Sequence, residues 1–522
     1  MVGVPGKSKG CSTCRRRKKG CDQARPTCGQ CKQSGYECGG YKRNLTFIHH
    51  PASKAVEKAT FAPVLATKDA DSLKIVPFYM WEPAIEMQCR SLFWDLYMPR
   101  GDCVVKDPQI LACKHPMNWT VMVPELPGEE PSLDRAFSAL SIARVGRDNE
   151  DERLVRESSK LYGRALKYLQ AALYDPERMY SDEVLTACMV LSLYEVFEGS
   201  AKKDFGWVSH TQGAARLVEL RGAHRHANRQ AHHVFLGSRL PTLYAAILQR
   251  KTTFLASDEW LTLPWASQPR TFHDRMIDIM TRIPTLLEQS DMAMSIRNQD
   301  NAAKEQMRMF DACQQIEKAL HGWRAIMKAG AAETAFEHTK HAGDDYPFKY
   351  DFTFANHLFA RTQAVYWSCL LVVSETMYDL QSSLERLTGN ANMSGFSSKA
   401  LHEKSRSYAV NIAQSIDYFL LPEMGALGAD LISFPMGLAY RFFNQSHEQG
   451  ICAWFEKSLE NMKKRGFHIG RFLGAFRIED NRRHQYYDSS NSGDSQNLSP
   501  TSNVSHASSS TTFMHEDFAR AK

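Results

Sequence analysis

Apolar side chains recur at helical spacing along most of the chain beyond residue 80. One stripe advances by four, three and four residues, the period of one face of an amphipathic helix, through Tyr162, Leu166, Leu169 and Leu173. Alternating apolar and polar positions, the pattern of a half-buried strand, are nearly absent. The pattern therefore predicts one large all-α domain over residues 81–480, with a division into two subdomains as the alternative.

Capping residues place the ends of several of these helices. Ser181 can accept backbone N–H groups of a first turn, and the two acids after it suit the positive end of the helix dipole. The residues that follow are apolar on nearly every face, so a buried helix is predicted up to Gly199. Two more helices are predicted, one that ends at Gly222 and one through residues 358–372.

The segments on either side of this helical region differ in composition. Prolines interrupt residues 44–80 and no apolar heptad repeat runs there, which predicts a linker without a dimerising coiled coil. Ser, Thr, Asn and Gly dominate the chain beyond Asp488. Residues 481–522 are therefore predicted to form a disordered tail, because they bury too little apolar surface to offset the entropy of ordering.

The overall composition is that of a folded protein. The chain has 522 residues, of which 43% are hydrophobic and 23% charged, so it can bury a large core. No run approaches the 18 or so apolar residues of a membrane span, and the first ten residues lack the apolar core of a secretory signal. We therefore expect an intracellular protein.

Positive charge is concentrated at one end of the chain. Residues 1–43 contain eleven Lys or Arg and two acids, a net charge of +9, whereas the whole chain carries +6. The other 479 residues therefore sum to −3. A basic segment of this density is typical of a module that binds a polyanion.

Cysteine is concentrated in the same segment. Six of the thirteen cysteines form a C-x2-C-x6-C triplet that repeats after six residues, at Cys11, Cys14, Cys21, Cys28, Cys31 and Cys38. Two separate tetrahedral zinc sites would need eight ligands, whereas two zinc ions that share two bridging thiolates need six. The count therefore favours a two-zinc cluster over a single four-cysteine site with two spectators, or over a disulfide framework.

Other residues with possible chemistry form no recognisable site. Seven cysteines are scattered singly and are predicted to be small buried hydrophobes, namely Cys89, Cys103, Cys113, Cys188, Cys313, Cys369 and Cys452. Several histidines lack any metal-ligand spacing and are predicted to be solvated or hydrogen-bonded, namely His210, His224, His226, His232, His233, His338 and His341. No phosphate-binding glycine motif or nucleophile elbow is present, so we predict no catalytic residue, no organic cofactor and no enzyme activity.

The string CSTCRRRKKGCDQARPTCGQCKQSGYEC, residues 11–38, resembles the DNA-binding domain of the fungal binuclear zinc-cluster transcription factors. The resemblance implies that Cys11 and Cys28 bridge both zinc ions. It also implies that two further cysteines complete the ligand set of each ion, Cys14 with Cys21 for one and Cys31 with Cys38 for the other. Pro26 matches the proline that the family has in the loop between the halves.

In this family the short helix after the first cysteine pair lies in the major groove and contacts a CGG triplet. By resemblance, Lys18 holds the main base-contacting position, where it would donate to guanine. The remaining predicted DNA-binding residues are its basic neighbours, Arg15, Arg17 and Lys19 mostly at phosphates, together with Arg16 and Arg25. Gly20 departs from the family, which usually has a basic residue before the third cysteine, so one phosphate contact is lost or shifts to Lys19.

Residues from about 80 to 480 resemble the fungal-specific regulatory domain that accompanies such clusters. The segments that carry this resemblance include ALSIARVG, LSLYEVFEG and HTQGAARLVELRG. The resemblance implies a region that responds to a ligand or a partner protein. The predicted domains are a DNA-binding domain over 1–43, a linker over 44–80, the regulatory domain over 81–480 and the tail over 481–522.

The sequence thus predicts a nuclear regulator of transcription by RNA polymerase II, which binds CGG-type triplets through a cluster of six cysteines and two zinc ions. The predicted partners are double-stranded DNA, a second copy of the chain through the helical region, and transcriptional co-regulators, without a membrane. The alternative is a zinc-stabilised interaction scaffold of the ubiquitin-ligase type. Such modules use eight ligands that usually include histidine, so the six cysteines and the five-residue basic run favour the DNA-binding regulator.

Overall fold

The chain divides into two units, Met1–Val76 and Pro77–Lys522. The computed structural model describes residues 11–22, 24, 27–38, 78–104, 123, 125–199, 206–330, 336–340, 347–390 and 394–467. The predicted tail lies outside these residues, and so does the predicted linker apart from its last three residues, which begin a helix at Phe78. The domain boundaries therefore stay a prediction.

In the described residues the first unit contains two five-residue helices, α1 (Ser12–Arg16) and α2 (Gly29–Gln33). The described helices of the second unit are α3 (Phe78–Tyr97), α4 (Pro131–Asp148), α5 (Glu152–Leu173), α6 (Asp182–Glu198), α7 (Gly206–Arg221), α8 (Arg229–Gln249), α9 (Asp258–Thr262), α10 (Phe272–Met280), α11 (Arg282–Met294), α12 (Gln299–Gly330), α13 (His357–Thr388), α14 (Ser398–Phe419), α15 (Gly425–Gln445) and α16 (Gln449–Lys464). The predicted fold class, a small cysteine-rich module followed by a large all-α domain, is confirmed.

The helices predicted from capping residues are also confirmed. Ser181 caps α6, because its side-chain oxygen accepts the backbone N–H of Val184 at 3.1 Å. Gly199 ends that helix in the left-handed conformation, with φ of 54°. Nearly every side chain of α6 is buried, as the apolar pattern predicts, so this helix lies inside the unit with neighbours on all sides.

Packing in the second unit joins helices that follow one another in the chain. α4 packs along α5 and against α3 and α6, while α13 packs against α12, α14 and α15. Most of the buried apolar residues of this unit form one contiguous cluster from Cys89 to Phe467. At the far end of this cluster, the buried Arg144 of α4 donates to the carbonyl oxygens of Arg465 and Gly466, which fixes the end of α16 to the core.

A two-stranded antiparallel sheet interrupts the helices and was not predicted. Strand β1 (Phe336–Lys340) pairs with β2 (Tyr350–Phe354) in a register that sets Phe336 opposite Phe354. In β2, Phe352 and Phe354 are buried and the intervening Thr353 is exposed. The alternation in YDFTF is a strand signal of only five residues, too short to stand out in a helical background.

Five of the six described scattered cysteines are buried as predicted, and the sixth is only partly so. Cys89, Cys103, Cys188, Cys313 and Cys369 are buried, and Cys452 is half-buried. Cys113 lies outside the described residues. The pattern of single cysteines among apolar neighbours therefore identifies core positions rather than a second metal site.

The pKa values of two titratable groups in the second unit, His226 and Asp430, are shifted in opposite directions. His226 is fully buried, with Nδ1 3.2 Å from the carbonyl oxygen of Ala231, and burial lowers its pKa to about 4. Asp430, on α15, accepts a hydrogen bond from the Tyr97 hydroxyl at 3.2 Å, and burial raises its pKa to about 6.

These two groups are expected to change the stability of the fold in opposite directions as the pH falls. Because the unfolded chain takes up a proton at His226 below about pH 6.5, this group removes stability as the pH falls. Asp430 adds stability over the same change, because the folded state binds its proton first. On lowering the pH from 7 to 5, the unfolding free energy of His226→Asn should rise by about 1–2 kcal/mol relative to that of the unmodified chain. The unfolding free energy of Asp430→Asn should fall by about the same amount relative to the unmodified chain. Denaturant titrations at the two pH values test this.

The exposed neighbour His224 supplies the matched control, since His224→Asn should leave the profile unchanged. Parallel profiles for His226→Asn and the unmodified chain would show that the imidazole of His226 is not held neutral by burial. Parallel profiles for Asp430→Asn and the unmodified chain would show that burial does not raise the pKa of Asp430.

Candidate metal centre and nucleic-acid interface

The cysteine-rich module consists of two halves with matching geometry, offset by 17 residues. In each half a five-residue helix starts directly after the first cysteine of a C-x2-C pair. The backbone N–H of Cys14 donates to the Cys11 sulfur at 3.3 Å, and the N–H of Cys31 donates to the Cys28 sulfur at the same distance. The duplicated spacing of the sequence is therefore a duplicated structure.

Each helix also ends in the same way. The N–H of Lys19 donates to the carbonyl oxygen of Cys14 at 3.1 Å, and the N–H of Tyr36 donates to that of Cys31 at 3.0 Å. The residue before each donor has left-handed backbone, with φ of 52° at Lys18 and 64° at Gly35. Glycine adopts this conformation freely, whereas a residue with a Cβ atom is strained there by roughly 1–2 kcal/mol.

The six cysteines converge on two overlapping groups of sulfur atoms. One group contains Cys11, Cys14, Cys21 and Cys28, the other contains Cys11, Cys28, Cys31 and Cys38, and within each group the sulfurs lie within 4.8 Å of one another. Both groups contain Cys11 and Cys28, whose sulfur atoms lie 3.7 Å apart. In the described part of the chain, the groups of side chains able to hold a metal consist of these cysteines alone.

The spacing of the sulfur atoms fits zinc. In a tetrahedral site with zinc–sulfur bonds of about 2.3 Å, neighbouring sulfurs are about 3.8 Å apart. The measured separations are 3.6 Å for Cys14 and Cys28 and 3.7 Å for Cys11 and Cys31. None of these six described cysteines is joined in a disulfide bond, which contradicts the disulfide alternative.

Burial disfavours the thiolate form of these cysteines unless a cation lies nearby. It raises the pKa of Cys14 to about 12, and it also raises the pKa values of Cys28 and Cys31 above the ordinary value of a thiol. Such thiols are protonated at neutral pH, and a coordinated zinc ion deprotonates a thiol outright. The donor set is therefore suited to a soft divalent cation.

Hydrogen bonds tie the first half of the module to the second. The Thr13 hydroxyl donates to the carbonyl oxygen of Glu37 at 3.0 Å. The Asp22 carboxylate accepts the backbone N–H of Gly29, the first residue of α2, at 2.9 and 3.1 Å. A Cβ atom at Gly29 would lie 2.6 Å from that carboxylate, so a larger residue there would displace the Asp22 side chain.

The predicted DNA-binding residues are not equivalent in the structure. Lys18 and Lys19 are exposed, whereas Arg17 is half-buried with its guanidinium carbon 3.8 Å from the centre of the Tyr36 ring. The backbone of Arg15 and Arg16 lies in α1, but their side chains are outside the described part of the chain. Arg25 and Pro26 are outside it altogether. A Cβ atom at Gly20 would meet no described atom within 4 Å, so the backbone has room for a substituent at this departure from the family pattern.

Sequence reasoning missed three members of the module. Asp22, Gly29 and Tyr36 join the halves but match no metal or DNA motif. Asp22 lies seven residues before Gly29, too far along the chain to be recognised from the sequence as a capping residue of α2, whose N-cap is Cys28. Tyr36 holds the position equivalent to Lys19 in the first half, so the 17-residue offset was the signal that could have identified it.

Comparison with known families decides what this arrangement is. Residues 9–46 match the fungal Zn(2)-Cys(6) binuclear cluster domain, and residues 121–424, more than half of the chain, match the fungal-specific transcription factor domain. The chain belongs to the fungal-specific transcription factors. This zinc-cluster regulator accordingly combines a binuclear cluster domain, a type that holds two zinc ions, with a helical fungal-specific transcription factor domain.

Similarity to individual proteins is more limited. An uncharacterized protein of Emericella nidulans is 30% identical to the zinc-cluster regulator over 149 residues, which are 28% of this chain and 32% of that protein. The chain thus spans about a third of the length of the curated relative it matches. No solved structure gives a significant match.

The remaining alternatives can be compared with the structure of the regulator. His210 lies 2.9 Å from the Tyr162 hydroxyl, and Nδ1 of His232 lies 3.1 Å from the carbonyl oxygen of His226. These histidines are hydrogen-bonded, as predicted, while His224 is exposed and His338 and His341 have no described side chains. Among the helices that the structure describes, none has both the length and the apolar character of a membrane span.

Proposed function

We propose that this regulator acts in the nucleus on genes transcribed by RNA polymerase II, and that its cysteine-rich module recognises CGG-type triplets in the major groove. The observation that carries the proposal is the pair of overlapping sulfur groups with the exposed Lys18 at the end of the adjoining helix. A lysine that donates to guanine O6 and N7 is among the commonest base-specific contacts in the major groove.

The six cysteines are the proposed zinc ligands. Cys11 and Cys28 would bridge, because they are the members common to both sulfur groups. Cys14 and Cys21 would complete one tetrahedral set and Cys31 and Cys38 the other. Each bridging sulfur also accepts a backbone N–H at 3.3 Å, which supports a ligand that shares its charge between two cations.

Charge makes the module suitable for DNA. Six thiolates and two zinc ions sum to −2, which the +9 of residues 1–43 outweighs to leave the module near +7. Lys19 is exposed beside Lys18 and is the described residue best placed for a phosphate contact. Arg15, Arg16 and Arg25 complete the proposed phosphate-binding set, and Arg17 belongs to it only if it leaves the Tyr36 ring.

The domain organisation is part of the same proposal. Residues 1–43 would bind DNA, 44–80 would connect, 81–480 would regulate and 481–522 would form the tail. The division of the chain at Val76 and Pro77 supports a boundary near residue 80. Since residues 44–80 carry no heptad repeat, a homodimer would form through the helical region, which would also bind co-regulators.

Selection of bound duplexes from random DNA by the full-length protein tests this proposal. We expect enrichment of CGG triplets, and two triplets at a fixed spacing if the helical region dimerises, because one triplet specifies too few base pairs for a genomic site. Binding should weaken steeply with salt, since basic residues release counterions from phosphates. Enrichment of no sequence would favour the interaction scaffold, and enrichment of a triplet other than CGG would refute the proposed specificity.

A further inference from the structure

The contact between Arg17 and Tyr36 joins the DNA-facing half of the module to the other half. Arg17 follows α1 directly, and its backbone N–H donates to the carbonyl oxygen of Thr13 at 3.1 Å. Tyr36 lies beyond α2 in the second half, and 52% of its surface is exposed. The guanidinium carbon lies 3.8 Å from the ring centre, well inside the range of a cation–π interaction.

Among the described residues, no hydrogen bond to the guanidinium group explains why the Arg17 side chain takes this position. Its Nη1 atom is buried and has no hydrogen-bond partner in the described part of the chain. A buried donor without a partner is destabilising, so another interaction must hold the guanidinium group in place. The face of the Tyr36 ring is the group in the described residues that offers it.

The residue next to Arg17 is under backbone strain. Lys18 has φ of 52°, where its counterpart in the second half is Gly35 with φ of 64°. A strained residue persists only when its surroundings fix it on both sides. On one side Lys19 donates to the carbonyl oxygen of Cys14, and on the other Arg17 is held against Tyr36.

We propose that Tyr36 is a positioning residue for DNA recognition, which holds Arg17 and thereby fixes the left-handed backbone that directs Lys18 into the groove. This inference rests on the proposed base contact of Lys18. The second half of the module, which has one lysine where the first has five basic residues in a row, then contributes to specificity by orienting the first half. The strength of such a contact corresponds to about a three- to tenfold change in affinity, which sets the size of the effect.

The test compares the affinity of the full-length protein for a duplex with a CGG triplet and for a scrambled duplex, at two zinc ions per chain. The ratio of the two affinities is the readout, because general loss of charge or stability lowers both affinities together. Tyr36→Leu should lower the ratio about three- to tenfold, whereas Tyr36→Phe, which keeps the ring, should preserve it. Arg17→Met should lower the ratio as much as Tyr36→Leu, and the double variant should lower it no further.

Each other outcome overturns the inference. An unchanged ratio in Tyr36→Leu would show that Lys18 is oriented without the ring. Fully additive losses in the double variant would show that the two residues act independently, and loss of zinc from Tyr36→Leu in step with affinity would assign Tyr36 to the metal site. If the unmodified protein shows no preference for the triplet, the proposed function itself fails, which the same titration distinguishes.

Discussion

Replacing Cys28 with alanine is expected to release both zinc ions and to abolish DNA binding. Cys28 belongs to both sulfur groups and is fully buried, so its loss removes one ligand from each tetrahedral set at once. Structural zinc contributes about 10–16 kcal/mol in small zinc-dependent modules, far more than a module of this size gains from its core. Metal analysis of the purified full-length protein, combined with titration of a CGG-containing duplex, measures both effects.

Two other cysteines provide the matched comparison. Cys38→Ala removes a ligand from one sulfur group only and should leave one zinc ion per chain. Cys452→Ala, at a half-buried position of the second unit, should keep both ions and full affinity. Retention of one ion by Cys28→Ala, as for Cys38→Ala, would contradict the assignment of Cys28 as a bridging ligand.

Replacing Lys18 with alanine should weaken binding to a CGG-containing duplex by about 1–3 kcal/mol and reduce the preference for that triplet. Lys18→Gly should show the same loss of recognition with a more stable module, because glycine relieves the left-handed strain by roughly 1 kcal/mol. Affinities for triplet and scrambled duplexes, with the concentration of chelator that unfolds each variant, separate the two effects.

Lys19→Ala is the control for Lys18, since Lys19 is an equally exposed neighbour of the same charge. It should weaken the triplet and scrambled duplexes alike, as expected for a phosphate contact. Equal losses on both duplexes for Lys18→Ala would remove Lys18 from the base-contacting position. A module that Lys18→Gly makes easier to unfold would show that the left-handed conformation of Lys18 carries no strain.

The candidate zinc ligands could be predicted from the sequence because their spacing is local. Two cysteines three residues apart at the start of a short helix place their sulfurs together in any context, and the repeat doubles that signal. The helices of the second unit were predictable for a similar reason, since periodicity and capping act within one element. Ser181 caps the start of α6 and Gly199 terminates it, at the positions that the sequence predicts.

Contacts between elements could not be derived in this way. The stacking of Arg17 on Tyr36 joins residues 19 positions apart, and neither residue differs in sequence from an ordinary surface arginine or tyrosine. The left-handed backbone at Lys18 accompanies the closing hydrogen bond of α1, and its counterpart at Gly35 is visible only in the structure. His226 likewise gives no sign in the sequence that burial holds its pKa near 4.

Zinc X-ray absorption spectroscopy of the full-length protein tests the central claim most directly, which is that six thiolates hold two zinc ions through a shared pair. The account predicts a first shell of four sulfur atoms at about 2.3 Å, with no nitrogen or oxygen, and scattering from a second zinc atom just beyond it. Cys38→Ala should lose that zinc–zinc scattering, because one ion remains. A shell that mixes sulfur with nitrogen or oxygen, or a four-sulfur shell without a neighbouring zinc atom, would contradict the shared cluster.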